Sequence, residues 1–334
     1  MTPLRFVQVG LGPIGREVAR LAVTRRWLSL VGAVDPKPGL AGQDVGSLLG
    51  LAPLGIAVEP DLDRAIERSE PDLVLHGTGS FLPDVSDQLG IALRHGASVV
   101  STCEELAYPF HRHPELSRGL DALAAANGAV LLGTGVNPGF VMDKLVATMA
   151  GACRSVERVQ VRRVVDASTR REPLQRKVGA SLSRDEFDAI ARKGRLGHVG
   201  LVESAQMVSD VLGLSPSRKV VESIRPRIAD EAVVTEYLRV EAGCVAGIEH
   251  DVTVEDGGRE RVRLELRMFV GAPDPHDAIE IEGSPPISLR IAGGVHGDAA
   301  TAAIVVNAAR GVKGLVPGLR TMLDLPLGFA RADG

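Results

Sequence analysis

The sequence predicts an α/β protein: a doubly wound parallel sheet at the N-terminus, followed by an α+β domain with a mainly antiparallel sheet. Three observations predict it. A glycine-rich turn joins the first strand to the first helix, strands then alternate with helices to about residue 136, and from Ser155 the apolar residues fall into period-two runs. The expected division is 1–136 for the first domain and 137–300 for the second. Residues 301–334 form a C-terminal helical segment that packs back on the first domain.

The first strand is "LRFVQVG", running into "GLGPIGREVARLAV", where Gly10, Gly12 and Gly15 make the spacing GxGxxG. In a strand–turn–helix setting the first glycine permits the turn. The second lets a pyrophosphate approach the backbone, and the third lets helix and strand pack closely. Pro13 at the first helical turn lacks only an N–H that would be unpaired anyway, and Ile14 begins the apolar stripe of the helix. The helix N-terminus offers donors and a positive dipole end to phosphates. A second strand, "LSLVGAVD", ends at Asp35, 20 residues after Gly15, where an acid takes the adenosine ribose hydroxyls. This is the Rossmann pattern. Asp35 favours NAD; Lys37 offers a charge to a 2′-phosphate, so NAD and NADP both stay open.

The alternation continues through "DLDRAIERS", "PDLVLHGTGS", "PDVSDQLGIALRHG", "ASVVST", "PELSRGLDALAAANG" and "AVLLGTGVNPG". In such sheets ligands sit beyond the carboxyl ends of the strands. Gly77 and Thr78, the acids Glu104 and Glu105, and Asn137 all follow strands on that edge. Two acids directly after a buried strand either serve a helix N-terminus or do chemistry. The next helix is expected near Pro114, too far to be capped by either, which favours chemistry.

In the second half, Arg163 falls on the same strand face as Val159, Val161 and Val165. It is either salt-bridged beneath a sheet or lining a polar pocket. Helices are expected over "RDEFDAIARKGRLG" and "VGLVESAQMVSDVLGL". Strands are expected at Val234–Leu238–Val240, at Ile248–Val254, at Val262–Met268 and at Ile287–Ile291, with a hairpin at Gly257-Gly258. His250 reads as a satisfied core histidine, and His198 as a residue making a local structural bond. "GDAATAAIVVNAARGV" is a small-residue apolar helix.

Composition narrows the function. A net charge of -4 and 3% aromatics argue against a nucleic-acid surface. Three cysteines without CxxC spacing suggest neither a disulfide framework nor zinc, and no metal site is expected. No apolar run approaches the roughly 18 residues of a membrane span, and no leader pattern is visible. The expectation is a cytoplasmic protein.

The segments "VGLGPIGREVAR", "VVSTCEELAYP", "GVNPGFVMD", "VVDASTRREPLQRKVG" and "GHVGLVES" together resemble the nicotinamide-dependent native amine dehydrogenases and 2,4-diaminopentanoate dehydrogenases, a dihydrodipicolinate-reductase-like group. The resemblance runs from Phe6 to Ser204 and implies an NAD(P)H-dependent amine dehydrogenase that reductively aminates small ketones or aldehydes with ammonia. It implies Glu104 as the acid/base, with Glu105 second, Asn137 bordering the nicotinamide or substrate, and Arg163 matching the strand arginine. The substrate pocket is expected to draw on Phe140, Arg163 and Thr301. An HHxxKxDxPSGT-type segment is absent, so the substrate site of dihydrodipicolinate reductase is not expected.

Two alternatives remain at this point. One is oxidative deamination of a diamino acid such as 2,4-diaminopentanoate, its carboxylate held by Arg163, Arg170 or Arg171. The other is a non-catalytic nicotinamide sensor. The expected partners are a small carbonyl or amine, ammonia and a second copy of the chain in a homodimer.

Overall fold

The computed structural model describes residues 2–192 and 196–326. They form two compact units, residues 1–140 with 296–334, and residues 141–295.

The first unit begins with strands β1 (Leu4–Val9), β2 (Leu28–Val34), β3 (Val58–Glu59), β4 (Leu73–His76), β5 (Ser98–Ser101) and β6 (Val130–Gly133). Helices α1 (Pro13–Ala22), α2 (Val45–Leu48), α3 (Leu62–Ser69), α4 (Leu82–Arg94) and α5 (Pro114–Ala126) connect them. The strands pair in the order β6-β5-β4-β1-β2-β3, all parallel. The direction of winding therefore reverses between β1 and β4, where such sheets open a crevice at their carboxyl edge.

Successive residues of each strand go to opposite faces. Phe6, Leu73, Leu75, Val100, Val130 and Leu132 enter one apolar layer with α1. Val7, Val9, Val74, Val99 and Leu131 enter the other with α3, α4 and α5. Burial on both faces explains why these strands read as continuous apolar runs.

The second unit holds helices α6 (Lys144–Ala150), α7 (Glu172–Lys177), α8 (Arg184–Ala191) and α9 (Leu201–Val211). Its strands are β7 (Ser155–Asp166), β8 (Lys219–Ile228), β9 (Val233–Val234), β10 (Arg239–Val240), β11 (Val245–Asp256), β12 (Arg259–Phe269), β13 (His276–Ser284) and β14 (Ile287–Ala292). Six of them form a sheet in the order β14-β13-β7-β12-β11-β8. It is mainly antiparallel, with one parallel pair between β7 and β12. The β11–β12 hairpin turns on Gly257 and Gly258 at φ of 58° and 75°, the left-handed pair that a two-residue hairpin requires.

The single strand expected over Val234–Val240 is instead a separate two-stranded ribbon of β9 and β10, because Thr235 binds back to Leu238 and closes a turn inside it. The helix pattern that continues past Ala191 through Lys193, Gly194 and Arg195 lies outside the described residues.

The chain then returns to the first unit as α10 (Gly297–Val312) and β15 (Gly318–Arg320), the latter pairing parallel with β6. Ala302, Val305, Val306, Ala308, Ala309 and Val312 bury α10 in the apolar layer that it shares with α1.

Candidate active site at the carboxyl edge of the parallel sheet

The glycine loop divides its duties visibly. Gly10 has φ of 85°, and a Cβ there would lie 2.4 Å from the Gly77 carbonyl oxygen. A Cβ at Gly15 would lie 2.0 Å from the Gly10 carbonyl oxygen. The chain's own packing therefore requires those two glycines. Around Gly12, the N-cap of α1, a Cβ would meet nothing within 4 Å. The opening at Gly12, not crowded by protein, is the side from which a phosphate can approach the backbone.

No side chain caps α1 and no acid stands in its first turn, Pro13 to Gly15. Gln8, buried on β1, steadies the loop by donating from Nε2 to the Gly10 carbonyl at 3.0 Å. Asp35 accepts the Leu11 amide at 2.8 Å through one oxygen and the Lys37 amide at 2.9 Å through the other. The acid at the end of β2 is thus fixed beside the glycine loop, while the Lys37 side chain is exposed.

Next to this loop, the ends of β4 and β5 are cross-linked by His76. This buried imidazole meets Ser101 Oγ at 2.8 Å, Gln88 Oε1 at 3.0 Å and Thr78 Oγ1 at 2.9 Å. Thr78 in turn lies against Gly10, its methyl 3.0 Å from where a Cβ would be.

The two acids after β5 have different surroundings. Glu105 is 4% exposed and starts a short 3-10 turn, Glu105–Ala107. Its Oε2 accepts the Leu82 amide and His113 Nε2, each at 2.8 Å, and Arg112 Nε approaches Oε1 at 3.7 Å. A helix N-terminus is therefore served after all. It belongs to α4, which precedes the acid in the chain, rather than to the helix that starts at Pro114. Glu104 is half-buried, directly before the turn. The turn is seated on β6: a Cβ at Gly133 would lie 2.5 Å from the Leu106 carbonyl carbon. Burial pushes the neighbouring Cys103 thiol up to about 12, so it stays protonated.

After β6, the cis Asn137–Pro138 bond and Gly139 at φ of 123° fold the NPG segment into a tight loop, with Asn137 buried. Thr301 of α10 holds that loop by accepting the Val136 amide at 3.2 Å. Phe140 is the last residue of this unit in the N-terminal part of the chain, half-buried.

Of the residues singled out from the sequence, the loop glycines with Pro13 and Ile14, Asp35, Gly77, Thr78, Glu104, Asn137 and Thr301 all lie in the first unit. They follow its strands on one edge or, for Thr301, hold a loop there. Arg163 lies in the second unit, 4% exposed, with Nη1 on both oxygens of Asp277 at 2.8 Å and Nη2 on the Val295 carbonyl at 2.6 Å. It is the salt-bridged arginine of the two readings. His250 is also satisfied: Nε2 donates to Glu222 at 2.9 Å and Nδ1 accepts the His198 amide at 3.2 Å. Among the described residues, no group of three or more His, Cys, Asp or Glu is placed to hold a metal.

Sequence reasoning missed His76, Ser101, Gln88 and Gln8. The available signal was a histidine closing an apolar strand just before Gly77 and Thr78.

Residues 140–333 match the family model described as the 2,4-diaminopentanoate dehydrogenase C-terminal domain. The chain is 30% identical to a 2,4-diaminopentanoate dehydrogenase of Acetoanaerobium sticklandii over 346 aligned positions, covering 98% of this chain and 94% of that protein. The chain belongs to the 2,4-diaminopentanoate dehydrogenase family. Within that family setting, the solved amine dehydrogenase from Mycobacterium smegmatis superposes with a TM-score of 0.87 at 29% identity, covering 98% of this chain and 97% of that one. A 4-hydroxy-tetrahydrodipicolinate reductase of Synechocystis is 46% identical over 264 positions, covering 78% of this chain and 90% of that protein. The resemblance read from the motifs between Phe6 and Ser204 is borne out, and with it an oxidoreductase of the amine dehydrogenase class. Among the described residues, no helix is long and apolar enough to cross a membrane.

Proposed function

We propose that this dehydrogenase interconverts a small carbonyl compound plus ammonia with the corresponding amine, using NAD(H) in preference to NADP(H), with Glu104 as the proton carrier. The observation that carries the choice of acid is the commitment of Glu105. Its carboxylate holds the Leu82 amide and His113, which gives it a structural task. The proton work is therefore assigned to its neighbour.

The residues present fit a nicotinamide dinucleotide. The open backbone at Gly12, with Pro13, Ile14 and the Gly15 amide, would take the pyrophosphate. Asp35 would take the adenosine ribose; Gly77, Thr78 and Asn137 would border the nicotinamide. A carboxylate at position 35 repels a 2′-phosphate, and the exposed Lys37 offsets this only in part, which supports NAD(H). When bound, the cofactor supplies hydride to the C=N carbon or takes it back.

The protein's part is proton traffic. Condensation of ammonia with a carbonyl passes through a carbinolamine, which loses water only after its hydroxyl gains a proton. Glu104 would donate that proton, then as a carboxylate stabilise the cationic iminium. In the amine-oxidising direction it would accept a proton from the ammonium substrate. The small carbonyl, the amine and ammonia are the substrate set. A homodimer is proposed on the charged sheet face, where Glu265 and Asp251 lie nearly buried among Arg162, Arg225 and Arg267.

One relative favours a second reading, oxidative deamination of a diamino acid. Of the three arginines named from the sequence for a substrate carboxylate, Arg163 is committed to Asp277, which weakens this reading. The test is nicotinamide absorbance with NADH and NADPH, using a panel of small ketones and aldehydes with and without ammonium. A parallel oxidative assay supplies 2,4-diaminopentanoate. Ammonium-dependent turnover supports the first reading; turnover of 2,4-diaminopentanoate alone replaces it with the second.

A further inference from the structure

We propose that His76 is a positioning residue that sets the cofactor loop and the Glu104 turn in register, one ring nitrogen serving each. The proposal rests on the reading above, in which the glycine loop takes the dinucleotide and Glu104 carries protons.

The hydrogen bonds around His76 can be assigned one by one. Gln88 Oε1 only accepts, so the imidazole proton is on Nε2 and points to it at 3.0 Å. Thr78 Oγ1 donates to the same oxygen at 2.8 Å and lies 2.9 Å from Nε2. On the other side, Ser101 Oγ accepts the Cys103 amide at 3.0 Å and gives its own hydrogen to Nδ1 at 2.8 Å. Each of these donors then has an acceptor.

A second ring proton, on Nδ1, would take away the acceptor that the Ser101 hydrogen has in the neutral ring. Burial acts in the same direction, pushing the His76 pKa down to about 4, so the neutral ring is the working form.

The two ends of the ring lead to two parts of the site. Through Nε2, Thr78 and Gln88 are held, and Thr78 lies against Gly10 of the glycine loop. Through Nδ1, Ser101 is held, and Ser101 fixes the Cys103 amide one residue before Glu104. His76 and Ser101 are register partners at the ends of neighbouring strands, so the coupling crosses the sheet at its carboxyl edge. A planar ring of fixed length can set a separation that two independent side chains would not. Misplacement of reacting groups by about 1 Å costs up to about a hundredfold in rate, which gives such a spacer a purpose.

Amides can replace one end at a time. His76→Asn places its amide near Nδ1 and keeps the Ser101 side; His76→Gln reaches the Nε2 side and keeps Gln88 and Thr78. The readouts are the NADH dissociation constant by fluorescence titration and kcat with butanal, ammonium and NADH.

The expected result is a split. His76→Asn weakens NADH binding about tenfold with kcat within about threefold, and His76→Gln lowers kcat about tenfold with NADH binding within about threefold. Ser101→Ala, a milder change should the histidine variants fail to fold, is expected to lower kcat without changing NADH binding. Equal behaviour of the two amide variants, or wild-type values in Ser101→Ala, would overturn the proposal.

Glu104→Gln run alongside separates the two levels. Full turnover in that variant overturns the role of Glu104, and with it the kcat half of this proposal. An inactive Glu104→Gln beside unaffected His76 and Ser101 variants overturns the positioning role alone.

Discussion

Glu105 accepts the Leu82 amide through Oε2 at 2.8 Å, so a buried carboxylate after β5 caps the helix that begins after β4. The same oxygen takes His113 Nε2 at 2.8 Å. This arrangement gives one of the two adjacent acids, Glu105, a structural task. Hydrogen bonds to a charged group contribute about 1.5–3 kcal/mol each, and Glu105→Gln keeps their geometry without the charge. We expect it to lower stability by about 1–3 kcal/mol in denaturant titration while NADH binding and most turnover survive. Unchanged stability with lost turnover would exchange the roles of Glu104 and Glu105.

That pairing also shows what was legible in the sequence. Gly10, Gly12 and Gly15 were readable because their meaning is local, set by a strand before and a helix after. The cap between Glu105 and Leu82 was not, since its partners stand 23 residues apart in the chain and meet only through sheet order. The strands β3 and β15 escaped notice because two or three residues carry no periodicity. β8 contains Pro226, which breaks a strand reading; the structure accommodates it because β8 is an edge strand. β13 was obscured by Asp277, a charge at a core-facing position that makes sense only opposite Arg163.

The glycine loop predicts a separation between folding and binding. A methyl group at Gly12 meets open space, whereas at Gly15 it would strike the Gly10 carbonyl at 2.0 Å. Gly12→Ala should melt like the wild type and bind NADH about tenfold more weakly or worse, and Gly15→Ala should be the one that loses stability. Wild-type NADH affinity in Gly12→Ala would contradict the placement of the pyrophosphate.

Arg163 and Asp277 predict a purely structural phenotype. Removing the arginine leaves a carboxylate that is 1% exposed without its charge partner. Arg163→Ala should cost about 3–5 kcal/mol, and replacing both residues by apolar ones should recover much of that loss. A raised KM with an unchanged melting temperature would instead return Arg163 to the substrate pocket.

His76 gives a pH signature. Its folded pKa, about 4, lies below the ordinary 6.5. Between these values the unfolded chain takes up a proton that the folded chain refuses. The His76 contribution is therefore present in full above about pH 6.5 and declines by about 1.4 kcal/mol per pH unit on acidification. It levels off below about pH 4, a total of about 3 kcal/mol. Replacing His76 by Asn should remove one proton from the acid-side slope of stability against pH. An identical slope in both proteins would show that His76 is not held neutral.

The most direct test of the whole account is the initial rate of NADH oxidation with butanal, with and without ammonium, in the wild type and in Glu104→Gln. The account predicts turnover only when ammonium is present, and a loss of about a hundredfold or more in Glu104→Gln with NADH binding intact. Oxidation of NADH that proceeds equally without ammonium, or a Glu104→Gln variant that keeps the wild-type rate, would contradict it.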